Sequence, residues 1–212
     1  MTLSSLKNPE KARRATERRR REIMDAALER FLENGVAATT IEEIRAVSGA
    51  STGSIYHLFG NKDEIAFALF VEGMREYHRQ VLDAAKRKRS ARSCLRAIIA
   101  THLQLCVEQP QLCLYLTRQS MADGSDEILQ EYHAANDRFA HNLFTILEPF
   151  IETGEIVRLP PELYLSLIVG PSAYLSRSWL RGRYDGDPLA AAGVLAHAAW
   201  NSLRAERTDQ RK

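Results

Sequence analysis

The sequence predicts an all-α protein, with an N-terminal helix-turn-helix unit followed by a larger helical unit. Three observations lead there. Apolar residues recur at helical spacing through most of the chain, and no stretch alternates with period two for long enough to make a strand. Helix starts are marked by capping sequences, Thr40 with Glu43 and Asn61 with Glu64, and stops by Asn34-Gly35 and Ser48-Gly49. Two short helical segments in residues 40–59 are joined by a tight turn containing glycine, the arrangement of a helix-turn-helix.

In chain order, residues 1–15 lack an apolar face and carry Pro9, so they read as a loose basic arm. The first helix is expected from about Thr16, where Ile23, Ala27 and Phe31 share a side with Met24 and Leu28. A second opens at Thr40 with Ile41 and Ile44 facing inward, and a third covers Thr52 to Phe59. In the third, Ile55, Leu58 and Phe59 fall on the packing side, leaving Thr52, Gly53, Ser54, Tyr56 and His57 outside. The fourth runs from Asn61 to about Asp83 along Ala66, Phe70, Met74, Tyr77 and Val81. The basic run Lys86-Arg87-Lys88-Arg89 punctuates the chain. The expected division is therefore an arm (1–15), a helix-turn-helix domain (16–62), a connecting helix (about 61–84) and a C-terminal domain (85–212). That last domain holds about five helical segments, broken at Gln109-Pro110, Asp123-Gly124-Ser125, Thr153-Gly154, Leu159-Pro160-Pro161 and Asp185 to Pro188.

Composition narrows the function classes. With 45% apolar and 26% charged residues in 212, the chain can build a core, which excludes a disordered or fibrous protein. The charge-free stretch Leu163 to Ser176 is shorter than the roughly 20 apolar residues a bilayer requires, and the basic N-terminus has no apolar signal region. A cytoplasmic protein without membrane contact is the expectation. Cys94, Cys106 and Cys113 lie in apolar helical sequence and read as buried free thiols. The helical pairs among His133, Asp137 and His141, and His102 with Cys106, lack an assignable third ligand, so no metal and no cofactor is expected. Residues 1–62 hold 11 Lys and Arg against 8 Asp and Glu, a net +3, whereas residues 63–212 hold 18 against 19, a net −1. This asymmetry points the N-terminal unit at nucleic acid.

In a helix-turn-helix the second helix enters the DNA major groove and offers its N-terminal residues to base edges. The run Thr39-Thr40-Ile41-Glu42-Glu43-Ile44, then Ser48 through Glu64 with Gly53-Ser54-Ile55-Tyr56-His57-Leu58-Phe59-Gly60-Asn61-Lys62-Asp63, resembles the DNA-binding domain of the TetR family of transcriptional regulators. The likeness covers roughly residues 18–70 and departs from the commonest pattern at Arg45, where a small residue is frequent, and at Leu58, where an aromatic is. The resemblance implies an all-helical dimer whose variable C-terminal domain binds a small effector. By position it implies phosphate contacts from Thr40 and Lys62, base or backbone contacts from Ser51, Thr52 and Ser54, and an aromatic pair, Tyr56 and His57, on backbone and thymine methyls. Gly53 permits close approach to DNA. Arg18 and Arg19, with Arg20 and Arg21, are read as lying in the first turns of the first helix, where they oppose its dipole and favour a phosphate partner.

The C-terminal half is expected to hold the dimer interface on Leu167, Tyr174, Leu175, Leu195, Ala196, Ala199 and Leu203, since the small residues of the last helix let another helix approach. Tyr115, Met121, Tyr132, Phe139, Leu143, Phe144 and Trp179 are candidates for an effector pocket, set against ordinary core packing. The function these readings support is a homodimeric DNA-binding regulator, a repressor released from a palindromic operator by a small molecule. The alternative is an effector-independent regulator or architectural protein. An all-α enzyme is a distant third, because no nucleophile triad, phosphate loop or carboxylate pair is present.

Overall fold

The computed structural model describes residues 9–119 and 125–205, and they form ten helices. These are α1 (Pro9–Ala38), α2 (Ile41–Ser48), α3 (Thr52–Leu58), α4 (Lys62–Lys86), α5 (Ala91–Glu108), α6 (Pro110–Arg118), α7 (Asp126–Glu152), α8 (Pro161–Ile168), α9 (Gly170–Leu180) and α10 (Pro188–Leu203). Among the described residues the only extended pairing is one antiparallel bridge between Ile156 and Arg204. The chain divides into two compact units, one ending at Val71 and the other beginning at Glu72, so the division falls inside α4 and ahead of the basic turn at Lys86 to Arg89.

In the first unit, α1 starts at Pro9, about two turns before the expected Thr16. Residues 9–15 are therefore helical and not part of a loose arm; residues 1–8 lie outside the described residues. Proline suits a helix's first turn, Glu10 there complements the dipole, and Glu10–Arg14 and Arg13–Glu17 bridge successive turns at 2.5 and 3.6 Å. The earlier start also corrects the placement of Arg18 to Arg21, which sit well inside α1 and do not oppose its dipole. The helix breaks at Gly35 (φ 79), as the Asn-Gly pair predicts, and the buried Thr39 hydroxyl closes its end by donating to the Gly35 carbonyl at 2.8 Å. Thr40 and Glu43 form the expected reciprocal cap on α2, and Gly49 (φ 63), in the left-handed conformation that glycine takes without penalty, ends it. With seven residues α3 cannot hold itself, so its stability comes from the burial of Ile55 and of Phe59 just beyond it, worth about 1.5–3 kcal/mol each. They join Ile23, Ala27, Phe31, Ile44, Ile65 and Phe70 in the core of this unit.

In the second unit α10 packs along α5, which also touches α6, α8 and α9. The core gathers Leu95, Ile98, Ile99 and Leu103 of α5 with Phe139, Leu143, Leu147 and Ile151 of α7. Glu155 supplies a carboxylate to the Ala91 amide at 2.9 Å, and the buried Tyr164 hydroxyl donates to the Val157 carbonyl at 2.7 Å while accepting from the Leu159 amide at 3.0 Å. The Leu163–Trp179 stretch splits into α8 and α9, because Gly170 and Pro171 interrupt it; Pro171, which has no N–H to satisfy, sits in the first turn of α9, and the Ser172 hydroxyl donates back to the Val169 carbonyl at 2.9 Å. Ala196, Ala199 and Leu203, expected at a dimer interface, are instead buried in this protomer's own core, since the side of α10 that carries them faces inward.

Candidate nucleic-acid interface and effector cavity

On the first unit α3 presents the residues that the sequence left outside. Thr52, Gly53 and His57 are exposed, Ser54 is half-buried, and Tyr56 keeps 53% of its surface open. A Cβ built on Gly53 meets nothing within 4 Å, so what a side chain there would obstruct is an outside partner, not the chain itself. Ser51 serves as the N-cap of α3, accepting from the Ser54 amide at 3.1 Å, which leaves its own proton free for another acceptor. Thr40 is more fully occupied: its oxygen accepts from the Glu43 amide at 3.2 Å and its proton goes to the Glu43 carboxylate at 2.9 Å. The Thr40 amide, donating to the Glu43 carboxylate at 2.7 Å, and then the Thr40 hydroxyl hold that carboxyl below its ordinary pKa, so an anion reaching Thr40 meets a charged carboxylate.

Lys62 has a structural partner that sequence reasoning missed. Its ammonium donates to the Ala37 carbonyl and, at 2.9 Å, to the Thr39 carbonyl, tying the end of α1 to the start of α4. Of the arginines, Arg18 and Arg19 pair with Glu22 at 3.7 and 2.9 Å, and Arg20 lies 4.9 Å over the Phe59 ring. Arg45, the departure in α2, is clasped by Glu42 on the same helix, with Nε 2.9 Å from both carboxylate oxygens, and so disturbs no packing.

The second unit contains a cavity of about 360 Å³, within the range of small-molecule sites. Its apolar wall includes Met74, Leu116, Phe139, Leu165, Val169 and Leu180; its polar end is built on His102, Tyr77 and Ser176. The Tyr77 hydroxyl lies 2.7 Å from His102 Nδ1, and His102 Nε2 lies 3.1 Å from Ser176 Oγ. Burial, with Arg177 nearby as a smaller cause, lowers the His102 pKa to about 4, so the ring is neutral at pH 7. His78 stacks on Phe139 at 4.3 Å and is likewise lowered to about 4, by burial and then by Arg138. Among the described lining residues Arg177 is thus the one carrying a charge from Lys, Arg, Asp or Glu, and none of them is a carboxylate. Cys106 and Cys113 are free; the Cys113 thiol and then the Ser176 hydroxyl hold the Cys106 thiol below its ordinary pKa, while Cys106 and then burial raise that of Cys113. Among the described residues no group of three metal-ligating side chains occurs.

Residues 23–69 match the family model described as bacterial regulatory proteins, tetR family. The transcriptional regulator BetI of Burkholderia cenocepacia is 30% identical over 189 residues, covering 84% of this chain and 90% of BetI. The chain belongs to the tetR family. The fatty acid metabolism regulator protein of Bacillus subtilis is 28% identical over 167 residues, covering 77% of this chain and 86% of that protein. A crystal structure of the Bacillus subtilis regulator FadR in complex with stearoyl-CoA superposes with a TM-score of 0.73 at 26% identity, over 84% of this chain and 96% of that one.

This tetR-family chain is therefore a helix-turn-helix transcriptional regulator and not an enzyme. Among its described residues no helix is long and apolar enough to cross a membrane. Of the expected pocket residues, Tyr132 and Phe139 line the cavity. Tyr115 and Leu143 are packed into the core, Phe144 packs against Tyr164, Trp179 is half-buried away from the cavity, and Met121 lies outside the described residues. The polar end was the larger omission. Its signal was His102 itself, set between Ile98, Ile99, Leu103 and Leu105 on a buried helix, where a polar ring needs partners.

Proposed function

We propose that this regulator is a homodimeric repressor that binds a near-palindromic operator through α3 and leaves it when a small molecule occupies the cavity of the second unit. Tyr56, His57, Thr52, Gly53 and Ser54 read the major groove. Ser51, Lys62, Arg18 and Arg19 contact backbone phosphates, and Thr40 contributes mainly by capping. The observation that carries the ligand-responsive part is the cavity, with a neutral polar end and, among its described lining residues, Arg177 and no carboxylate. Such a lining favours an apolar effector whose head is neutral or anionic and disfavours a cation, which would meet Arg177 without a compensating carboxylate. A fatty acyl derivative, the class of ligand bound in the FadR structure, fits this description. An effector-free regulator would have had a filled core there.

Dimerisation is supported by the outer faces of α8 to α10. Val194 and Tyr174 are 72% and 70% exposed, Leu163 is exposed, Leu167, Leu175 and Leu195 are half-buried, and Ala190, Gly193 and Ala198 allow close approach of a second helix. Sequencing DNA retained by the pure protein from a random pool tests the reading. Recovery of an inverted repeat with half-sites about one helical turn apart, 34–36 Å, is the expected result. An unrelated set of sequences would reject it.

A further inference from the structure

The cavity is not the only opening on α9. A groove of about 320 Å³ lies alongside it, lined by Arg177, Arg181, Arg183 and Tyr184, and at its other edge by Tyr174 and Leu175 of the proposed dimer face, with no carboxylate among its described lining residues. None of the three arginines makes an ion pair among the described residues, whereas Arg14, Arg18, Arg19, Arg30, Arg79 and Arg138 do. The helical period explains how the two openings relate. Ala173, Ser176 and Leu180 face the cavity, Tyr174, Ser178 and Arg181 are rotated on average about 130° from them, and Arg177 lies on the border and lines both. The turn after α9 bends back on itself, the Arg183 amide bonding the Ser178 carbonyl at 2.8 Å, and so brings Arg183 beside Arg181. Tyr184 lies over Gly186, where a Cβ would come within 2.3 Å of its hydroxyl. Basic residues at a helix C-terminus interact favourably with its dipole, but that accounts for one or two solvated side chains and not for three arginines lining one groove that shares Arg177 with an apolar cavity.

We infer that the Arg177–Arg181–Arg183 groove is the binding site for a phosphorylated headgroup, and that the effector is an amphipathic molecule with an apolar chain in the cavity and several phosphates in the groove. This rests on the cavity being the effector site. In such a ligand the group joining chain to head lies at the His102–Tyr77–Ser176 end, and Arg177 marks the crossing from one chemistry to the other. Guanidinium groups suit the head because each offers paired donors to phosphate oxygens.

Titration of the full-length protein with dodecanoyl-CoA, dodecanoate and free coenzyme A tests this. Wild type is expected to bind dodecanoyl-CoA at least about tenfold more tightly than dodecanoate at low salt, with the advantage shrinking as salt rises. The double variant Arg181→Ala/Arg183→Ala, whose residues are exposed and hold up nothing, should lose that advantage and keep its affinity for dodecanoate. A control with the same charge loss elsewhere, Lys86→Ala/Arg87→Ala, should keep both. Equal affinity of wild type for the two acyl compounds, or equal losses in the double variant and the control, would overturn the groove assignment while leaving the cavity as the effector site. Binding of neither acyl compound would remove the cavity reading and the groove with it.

Discussion

His102 gives the account its most quantitative exposure to failure. The ring is buried and hydrogen-bonded through both nitrogens, to Tyr77 and to Ser176, and its pKa in the folded chain is lowered to about 4. In the unfolded chain it returns to an ordinary value near 6.5. Because the folded value is the lower one, the unfolded state takes up a proton first as pH falls. The stability that the neutral histidine provides is thus complete above about pH 6.5 and is lost as pH drops toward 4. Integrated between pH 7 and pH 5, this single group costs about 2 kcal/mol. His102→Gln removes the titration but keeps polar atoms to meet Tyr77 and Ser176, and every other titrating group, His78 included, is common to both proteins. Trp179 and Trp200 both lie in the second unit, so urea unfolding followed by tryptophan fluorescence reports on that unit alone. Between pH 7 and 5 the wild type should lose about 2 kcal/mol more than His102→Gln, whatever their difference at pH 7. Equal losses would refute the buried neutral imidazole and with it the uncharged polar end of the cavity.

The remaining predictions concern the DNA-binding unit. Gly53→Leu should abolish operator binding in a gel-shift assay while leaving the circular dichroism spectrum and melting temperature unchanged, because its side chain meets only solvent in the free protein. Tyr56→Ala and His57→Ala should each weaken specific binding by about 1–3 kcal/mol, read as a shift of Kd for operator over random DNA. Lys62→Met should lower the stability of the first unit by about 1–3 kcal/mol, since two carbonyls lose a charged donor, and hydrogen exchange at the Ala37 to Thr40 amides should report the loosening even without DNA.

Local chemistry was legible in the sequence wherever one segment decided the outcome by itself. The Thr40–Glu43 and Asn61–Glu64 caps, the stop at Gly35 and the inward and outward faces of α3 all follow from spacing within a few residues. The start of α1 was obscured by the absence of an apolar face, although the Glu10–Arg14 and Arg13–Glu17 spacings that support it were readable. Positions decided by packing between distant segments were harder. Along α10 small and apolar residues surround the helix, so periodicity did not say that Ala196, Ala199 and Leu203 face α5 while Val194 faces out. On α7 Tyr132 and Phe139 line the cavity, but Leu143, one turn beyond Phe139, is packed into the core.

Reciprocal linkage between operator and effector tests the central claim most directly. If cavity occupancy releases DNA, a compound that lowers operator affinity by some factor must itself bind the operator complex more weakly by that same factor. Dodecanoyl-CoA titrated against the protein alone and against the protein saturated with its selected operator should show matching factors. A ligand that binds tightly in both states with unchanged affinity would contradict the account.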